Sequence, residues 1–282
     1  SGGQCKWYQH RNLSERGNFC DKYGGYGAFC SCEKPWIPRI NDHGSGFEIK
    51  EVIPIALVTA TRISNILRVI SFLHNMPGGI DTPVVVFVDD SHNAEAEALG
   101  NLLNVTIVFR QQPQLRETSG HMDHRMNIHM KFTLEQIFLR FPESDKIILL
   151  EDDLDLAPDM LQYFHQTAPL IDGDPSLMCV NAYNFNSFPH TAKDSTRLYR
   201  VYGWPAYGWM VSRKWAHKLI KHWPDQTLNA GWDLYLRDGV GSQMGEWAII
   251  IPEVPRTKHR GGGGVHTTGL KQERFSNQRT LN

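Results

Sequence analysis

The chain has 282 residues, 41% hydrophobic and 21% charged, with a formal net charge of −1. That composition suits a globular chain able to bury a core, and it offers neither the basic footprint of a nucleic-acid binder nor a polybasic membrane patch. No run of about 18 apolar residues is present, so no segment is expected to span a membrane. No signal peptide is visible at Ser1-Gly2-Gly3, which reads as a cut or processed end.

Residues 1–50 are rich in Gly, Cys and aromatics and show no long period, so they read as an appendage or linker. Cys5, Cys20, Cys30 and Cys32 cluster there, and such a cluster in a short loop-rich segment indicates two disulfides in an oxidising compartment. A structural zinc is the rival, but the paired C-x₂-C spacing is missing. The pairing is left open among three possibilities. N-x-S/T sequons at Asn12 and Asn104 agree with a secretory route. Cys179, alone in an apolar run, reads as an inert buried thiol.

From Val52 the texture changes. Val52–Ala60 reads as a strand, and Ile63, Ile66, Leu67, Ile70 and Leu73 mark one helix face before Pro77-Gly78-Gly79 breaks the chain. Pro83–Val88 and Val105–Arg110 read as strands around a helix over Asn93–Leu103. Gln111–Asp123 is polar and irregular, and Met126, Met130, Leu134 and Ile137 then mark a long helix ending near Phe141-Pro142. Further on, the pattern predicts helices over Asp159–Leu170 and around Lys214–His222, and strands over Leu177–Ala182 and Trp247–Ile251. Strand–helix alternation with continuous apolar strands predicts an α/β sheet covered on both faces, with ligands at the carboxyl ends of its strands.

The stretch Lys146-Ile-Ile-Leu-Leu-Glu151-Asp152-Asp153-Leu-Asp155 carries the chemistry. Adjacent carboxylates at a buried strand tip repel one another unless a cation sits among them. Hard oxygen ligands there suit Mg²⁺ or Mn²⁺, which also bridge phosphate oxygens. The plain alternative is a solvated acidic turn capping the next helix. Two further predicted strand ends, Thr61-Arg62 and Asp89-Asp90, are polar and converge on the same side. The aromatic, Gly-rich passage Tyr199–Trp209 suits a ring-shaped polar substrate, although such rings are also core material.

In order and spacing, Val52–Arg62, Val86–Asp89, His129–Phe138, Ile147–Pro158, Ser176–Asn184 and Trp232–Arg237 resemble glycosyltransferase family 13, the Golgi β-1,2-N-acetylglucosaminyltransferases. The segment from Phe19-Cys20 to Cys30-Ser31-Cys32 resembles the branch acting on O-linked mannose more than the N-glycan branch. The resemblance implies a GT-A fold with a cysteine-rich stem over 1–50 and a catalytic domain over 51–282, split into a nucleotide-sugar half (51–158) and an acceptor half (159–282). It implies a UDP-GlcNAc donor, a mannose-terminated glycan or glycoprotein acceptor, and Mn²⁺ as cofactor, with Mg²⁺ possible in its place. Glu151-Asp152-Asp153 looks like the family's version of the metal-binding DxD motif. Asp153 would then ligate the metal, and Glu151 and Asp152 would bind the ribose and sugar hydroxyls. Arg62 and Asp89 match uridine-contacting positions, and His129 a donor-contacting histidine.

Asp233, in Trp232-Asp-Leu-Tyr-Leu-Arg237, matches the base that deprotonates the acceptor, with Trp232 and Arg237 beside it on the substrate. Tyr235 and Leu236 depart from the family's Trp and Met, a difference that bears on acceptor fit. Trp209 matches a segment lining the sugar site, and Gly261–Gly264 with His266 a loop that closes over the donor. A zinc bound by His121, His124 and His129 is disfavoured, because the first two lie in the irregular stretch. The rival functions are an inactive nucleotide-sugar or glycan binder of the same fold and a two-carboxylate glycoside hydrolase.

Overall fold

The computed structural model describes residues 11–32, 47–60, 62–111, 121–223, 231–237, 244–245 and 247–260. In chain order its strands are β1 (Ile55–Thr59), β2 (Val84–Val88), β3 (Thr106–Phe109), β4 (Lys146–Glu151), β5 (Leu154–Leu156), β6 (Leu177–Asn181), β7 (Leu198–Val201), β8 (Trp209–Ser212), β9 (Ala248–Pro252) and β10 (Thr257–His259). The helices are α1 (Arg11–Lys22), α2 (Ile63–Asn75), α3 (Ala94–Leu103), α4 (His121–Arg140), α5 (Met160–Gly173), α6 (Arg213–Lys221) and α7 (Trp232–Tyr235).

Eight strands form one sheet in the order β3-β2-β1-β4-β8-β6-β9-β7, and β5 and β10 pair as a separate ribbon. The half formed by β3, β2, β1 and β4 is parallel, and β8 runs antiparallel between β4 and β6. The strand period of two splits the core cleanly. Ile55, Leu57, Val86, Val88, Ile148 and Leu150 face the layer of α2, α3 and α5. Ala56, Val85, Phe87, Ile147 and Leu149 face α4 and α6. All five residues expected on the core face of α2 are buried. The α/β class read from the alternation is the class observed.

From β1 the chain moves outward to β2 and β3, then returns through α4 to place β4 on the other side of β1. The sheet therefore has a topological switch point between β1 and β4, where a crevice opens at the strand ends.

Two expectations need correction. The first concerns residues 1–50, read as an appendage without core. Phe19, Tyr26 and Phe29 are buried in the same cluster as α2 and α3, and the Tyr26 hydroxyl donates to Glu95 Oε1 at 2.6 Å. A disulfide joins Cys20 to Cys30, Cys32 is also disulfide-bonded, and Cys5 lies outside the described residues. Aromatic side chains spaced for a short helix and turn, rather than one long period, carry this packing. The second concerns Gln111–Asp123, where α4 begins at His121 instead of after Asp123. Cys179 is free and buried as expected, and burial pushes its thiol pKa up.

Candidate active site

The three parallel strand ends meet as the sequence predicted. Beyond the last residues of the strands, the ladder continues from Asp89 N–H to Thr59 O (3.0 Å) and from Asp152 N–H to Val58 O (3.1 Å). Asp89 and Asp152 are thereby held on either side of β1, at the switch point.

Asp89 is buried, and Arg110 and Arg125 both serve it. Arg110, which follows β3, donates through Nε at 2.8 Å and through its terminal nitrogen to Asp89 Oδ1. Arg125 of α4 donates to Oδ2 and to the Asp89 carbonyl, both at 3.3 Å. His129, also on α4 and buried, places Nε2 3.1 Å from Phe87 O and Nδ1 3.9 Å from Asp89 Oδ1. Burial holds its pKa below the ordinary histidine value, against the pull of Asp89, so the ring is neutral. Nδ1 is buried with no hydrogen-bond partner and can accept a hydrogen bond. Arg110 and Arg125 were not singled out from the sequence. The available signal was a lone Arg ending a predicted strand next to one that ends in Asp.

The acidic triplet closes β4. Trp232 Nε1 donates to Glu151 Oε2 at 3.3 Å, and Thr59 Oγ1 donates to Asp152 Oδ2 at 2.5 Å. Arg68 of α2 clamps the turn from beneath, donating to Asp155 Oδ1 at 2.7 Å and to Asp152 O at 2.8 Å. Burial, and then the charges of Asp153, Asp233 and Asp152, raise the Glu151 pKa well above the carboxylate range. Burial likewise lifts Asp152 to about 6, although the Thr59 hydrogen bond opposes it. Asp153 differs. Burial pushes its pKa up, but the hydrogen bond and charge of His259 together with Arg62 outweigh this and hold it below the usual value.

His259, on β10, reaches Asp153 Oδ2 at 3.2 Å, and the β5–β10 ribbon aligns the two, with His259 opposite Leu154. Asp153 Oδ1 is buried and has no partner. One carboxylate oxygen is thus pinned and its neighbour is an orphan, in a field of other acids. That is the donor chemistry expected of a single hard-oxygen metal ligand. Among the described residues there is no group of three or more His, Cys, Asp or Glu that could hold a metal. His124 and His129 share α4, but they form no such cluster.

Asp233 sits in the first turn of α7, and its charge acts on both Glu151 and the Tyr207 hydroxyl. Arg62 lies at the N-cap position of α2, where its charge acts on Asp152 and Asp153. Arg237 is exposed, and its guanidinium stands 5.1 Å from the centre of the Trp204 ring. Trp209 does not line an open surface. It is fully buried in β8 and stacks at 5.9 Å on Trp232, which in turn bonds Glu151, so it supports the acid from below. A strand-forming Trp next to Gly208 is core material here. His266 and Gly261–Gly264 lie outside the described residues.

The chain is similar to several known proteins. A curated Arabidopsis thaliana relative, alpha-1,3-mannosyl-glycoprotein 2-beta-N-acetylglucosaminyltransferase, is 27% identical over 241 residues, which cover 82% of this chain and 51% of the relative. The chain spans about half the length of that relative. Among solved structures, GalNAc-T7 with UDP, GalNAc and Mn²⁺ overlaps at a TM-score of 0.49 and 11% identity, covering 78% of this chain and 47% of that one. The mannosyltransferase PcManGT from Pyrobaculum calidifontis, in complex with GDP-Man and Mn²⁺, overlaps at 0.43 and 12% identity, covering 87% and 66%. The family model described as the GNT-I family matches residues 33–278, most of the sequence and every strand of the sheet, and the chain belongs to that family.

Proposed function

We propose that the chain is a metal-dependent inverting glycosyltransferase of GT-A type, which moves N-acetylglucosamine from UDP-GlcNAc to the 2-hydroxyl of a terminal mannose. The observation that carries this reading is Asp153, with one oxygen pinned by His259 and the other buried and unpartnered at the switch point. Asp153 is the protein ligand for Mn²⁺ or Mg²⁺, and the bound ion supplies Lewis-acid neutralisation of charge on the departing diphosphate. Arg62, Asp89 and His129 hold the nucleotide, with the neutral His129 accepting through Nδ1. Glu151 and Asp152 bind donor hydroxyls, their carboxylate oxygens accepting from them.

Asp233 takes the proton of the acceptor hydroxyl as that oxygen attacks the anomeric carbon from the face opposite the diphosphate. Arg237, four residues beyond Asp233, sets its guanidinium over the Trp204 ring, and we assign it to the acceptor. The family resemblance of the Cys20–Cys32 segment favours an O-linked mannose acceptor over an N-glycan core, and the same resemblance with the disulfide supports a Golgi lumen setting. No helix among the described residues is long and apolar enough to cross a membrane.

The test is UDP release from UDP-GlcNAc with O-mannosyl peptide or N-glycan core as acceptor, with Mn²⁺ and then with EDTA. Asp153→Ala and Asp233→Asn are each expected to lose at least about 10²-fold in turnover, the scale of a missing metal ligand or base. Asp233→Asn should still bind UDP-GlcNAc. Donor binding without turnover in the parent would instead support an inactive binder, and turnover untouched by EDTA would revive the hydrolase reading.

A further inference from the structure

β3 ends the strand order of the sheet, and no further strand covers that edge among the described residues. Among the described residues β3 pairs only with β2, leaving one row of backbone groups without a strand partner. Its sequence, Thr106-Ile-Val-Phe109, is β-branched and aromatic, with no charge and no proline. Such an uncharged edge invites pairing with another chain unless something covers it.

The residue entering this edge is Asn104, in the sequon Asn104-Val105-Thr106. Asn104 is exposed and caps α3 in the left-handed region at φ 52°, where its backbone N–H bonds back to Asn101 O and Gly100 O. Asn tolerates this conformation better than most residues, and it turns the side chain out of the helix end. Thr106 is exposed as well, so both sequon side chains face solvent. Thr106 lies beside Val85, at the opening end of the parallel strands, whereas the site lies beyond Phe109 and Val88 at the closing end. Three strand residues, roughly 10 Å, separate them. An oligosaccharide at Asn104 thus stands clear of the strand ends where nucleotide and metal ligands gather. Asn12, the other sequon asparagine, has its side chain outside the described residues.

We propose that Asn104 carries an N-linked oligosaccharide and that this glycan guards the open edge of β3. In the transfer, Asn104 Nδ2 bonds to the anomeric carbon of an oligosaccharide carried on a polyprenyl diphosphate. The carbon–oxygen bond to the diphosphate breaks, the diphosphate leaves with the electron pair, and an amide proton passes to the base of the host's transferring enzyme. The proposal rests on the secretory reading of the chain, and its test separates the two.

The chain is secreted from a eukaryotic host behind an added leader, and its peptides are mapped by mass spectrometry before and after an amide-cleaving glycosidase. The expected result is a glycan on the Asn104 peptide, with conversion of that Asn to Asp after treatment. The mobility shift should be lost in both Asn104→Asp, which keeps a residue tolerant of the left-handed turn, and Thr106→Val, which keeps the asparagine and the strand. Light scattering should show both variants shifting toward larger species, with UDP release per folded chain unchanged. The Cys20–Cys30 bond, scored in the same maps, reports passage through the oxidising lumen. An intact disulfide with an unmodified Asn104 overturns the proposal while leaving the secretory reading standing, whereas free cysteines would overturn both. A glycan whose loss leaves self-association unchanged overturns the shielding role.

Discussion

Glu253 is a buried carboxylate that no motif announced. It accepts from the N–H groups of Lys193 (2.8 Å) and Asp194 (2.9 Å), from Arg197 (3.0 Å) and from the Tyr199 hydroxyl (2.5 Å). The Tyr199 hydrogen bond and then the two backbone donors hold its pKa at about 2, below the ordinary 4.5. A folded-state pKa below the unfolded one means that the carboxylate stabilises the fold above about pH 4.5, and that this contribution fades as the pH falls through about 2. Glu253→Gln should therefore melt at a lower temperature than the parent near neutral pH, with the gap narrowing steadily in acid. Melting curves by circular dichroism across that range decide it, because a gap of constant size would mean that the charge contributes nothing. Residues such as Glu253, His259 and Arg68 were not legible in the sequence. Their partners are Tyr199, Asp153 and Asp155, and only the fold brings these pairs together. Asp153, Asp89 and Asp233 could be singled out from the sequence because strand ends and a family motif mark them locally.

At the scale of elements, segments with a continuous apolar run were readable, the four-residue β3 among them, and three-residue or aromatic-rich strands were not. Strands β1, β2, β4 and β6 have continuous apolar runs buried on both faces, which is why their pattern stands out. Strands β5 and β10 have three residues each, too few to show any period, yet their ribbon carries His259 to Asp153. The aromatic passage Tyr199–Trp209 masked most of β7 and the first residue of β8, and only their register against β9, β4 and β6 reveals them. The ribbon depends on Gly208, just before β8. Its φ is +95°, and a Cβ there would stand 2.9 Å from Thr257 Cγ2 and 3.3 Å from Leu150 Cδ2. Tyr207, at φ 49°, precedes it and accepts from Thr257 Oγ1. Gly208→Ala should destabilise the fold by about 1–3 kcal/mol through strain and crowding. Because Thr257 starts the strand that ends at His259, the substitution should also raise the Mn²⁺ concentration needed for half-activation. Urea unfolding and a metal titration on the same sample test both. An unchanged titration beside a lowered midpoint would separate the ribbon from metal binding.

For the whole molecule, the question is whether the cysteine-rich segment belongs to the catalytic body. The sequence suggested a linker because Gly, Cys and aromatic residues without a period give no sign of a core. In the fold, Phe19 contacts Tyr23, Tyr26 and Phe29 with ring centroids 5.0, 4.7 and 6.2 Å away, and the group packs into the layer of α2 and α3. Arg16 donates to Phe29 O through Nε at 2.9 Å, which closes the turn over the cluster. The Cys20–Cys30 bond ties residues ten apart in sequence, a loop for which chain entropy gives about 2–3 kcal/mol of stabilisation. If segment and sheet unfold as one, the double substitution Cys20→Ser and Cys30→Ser should lower the midpoint of the main unfolding transition. UDP-GlcNAc binding near neutral pH should persist, since no residue assigned to the donor lies in this segment. Calorimetry with tryptophan fluorescence alongside distinguishes the cases, because the chain's eight tryptophans lie mostly in the sheet-bearing part. A main midpoint that stays put, with the loss confined to a small separate transition, would return the segment to the status of a linker.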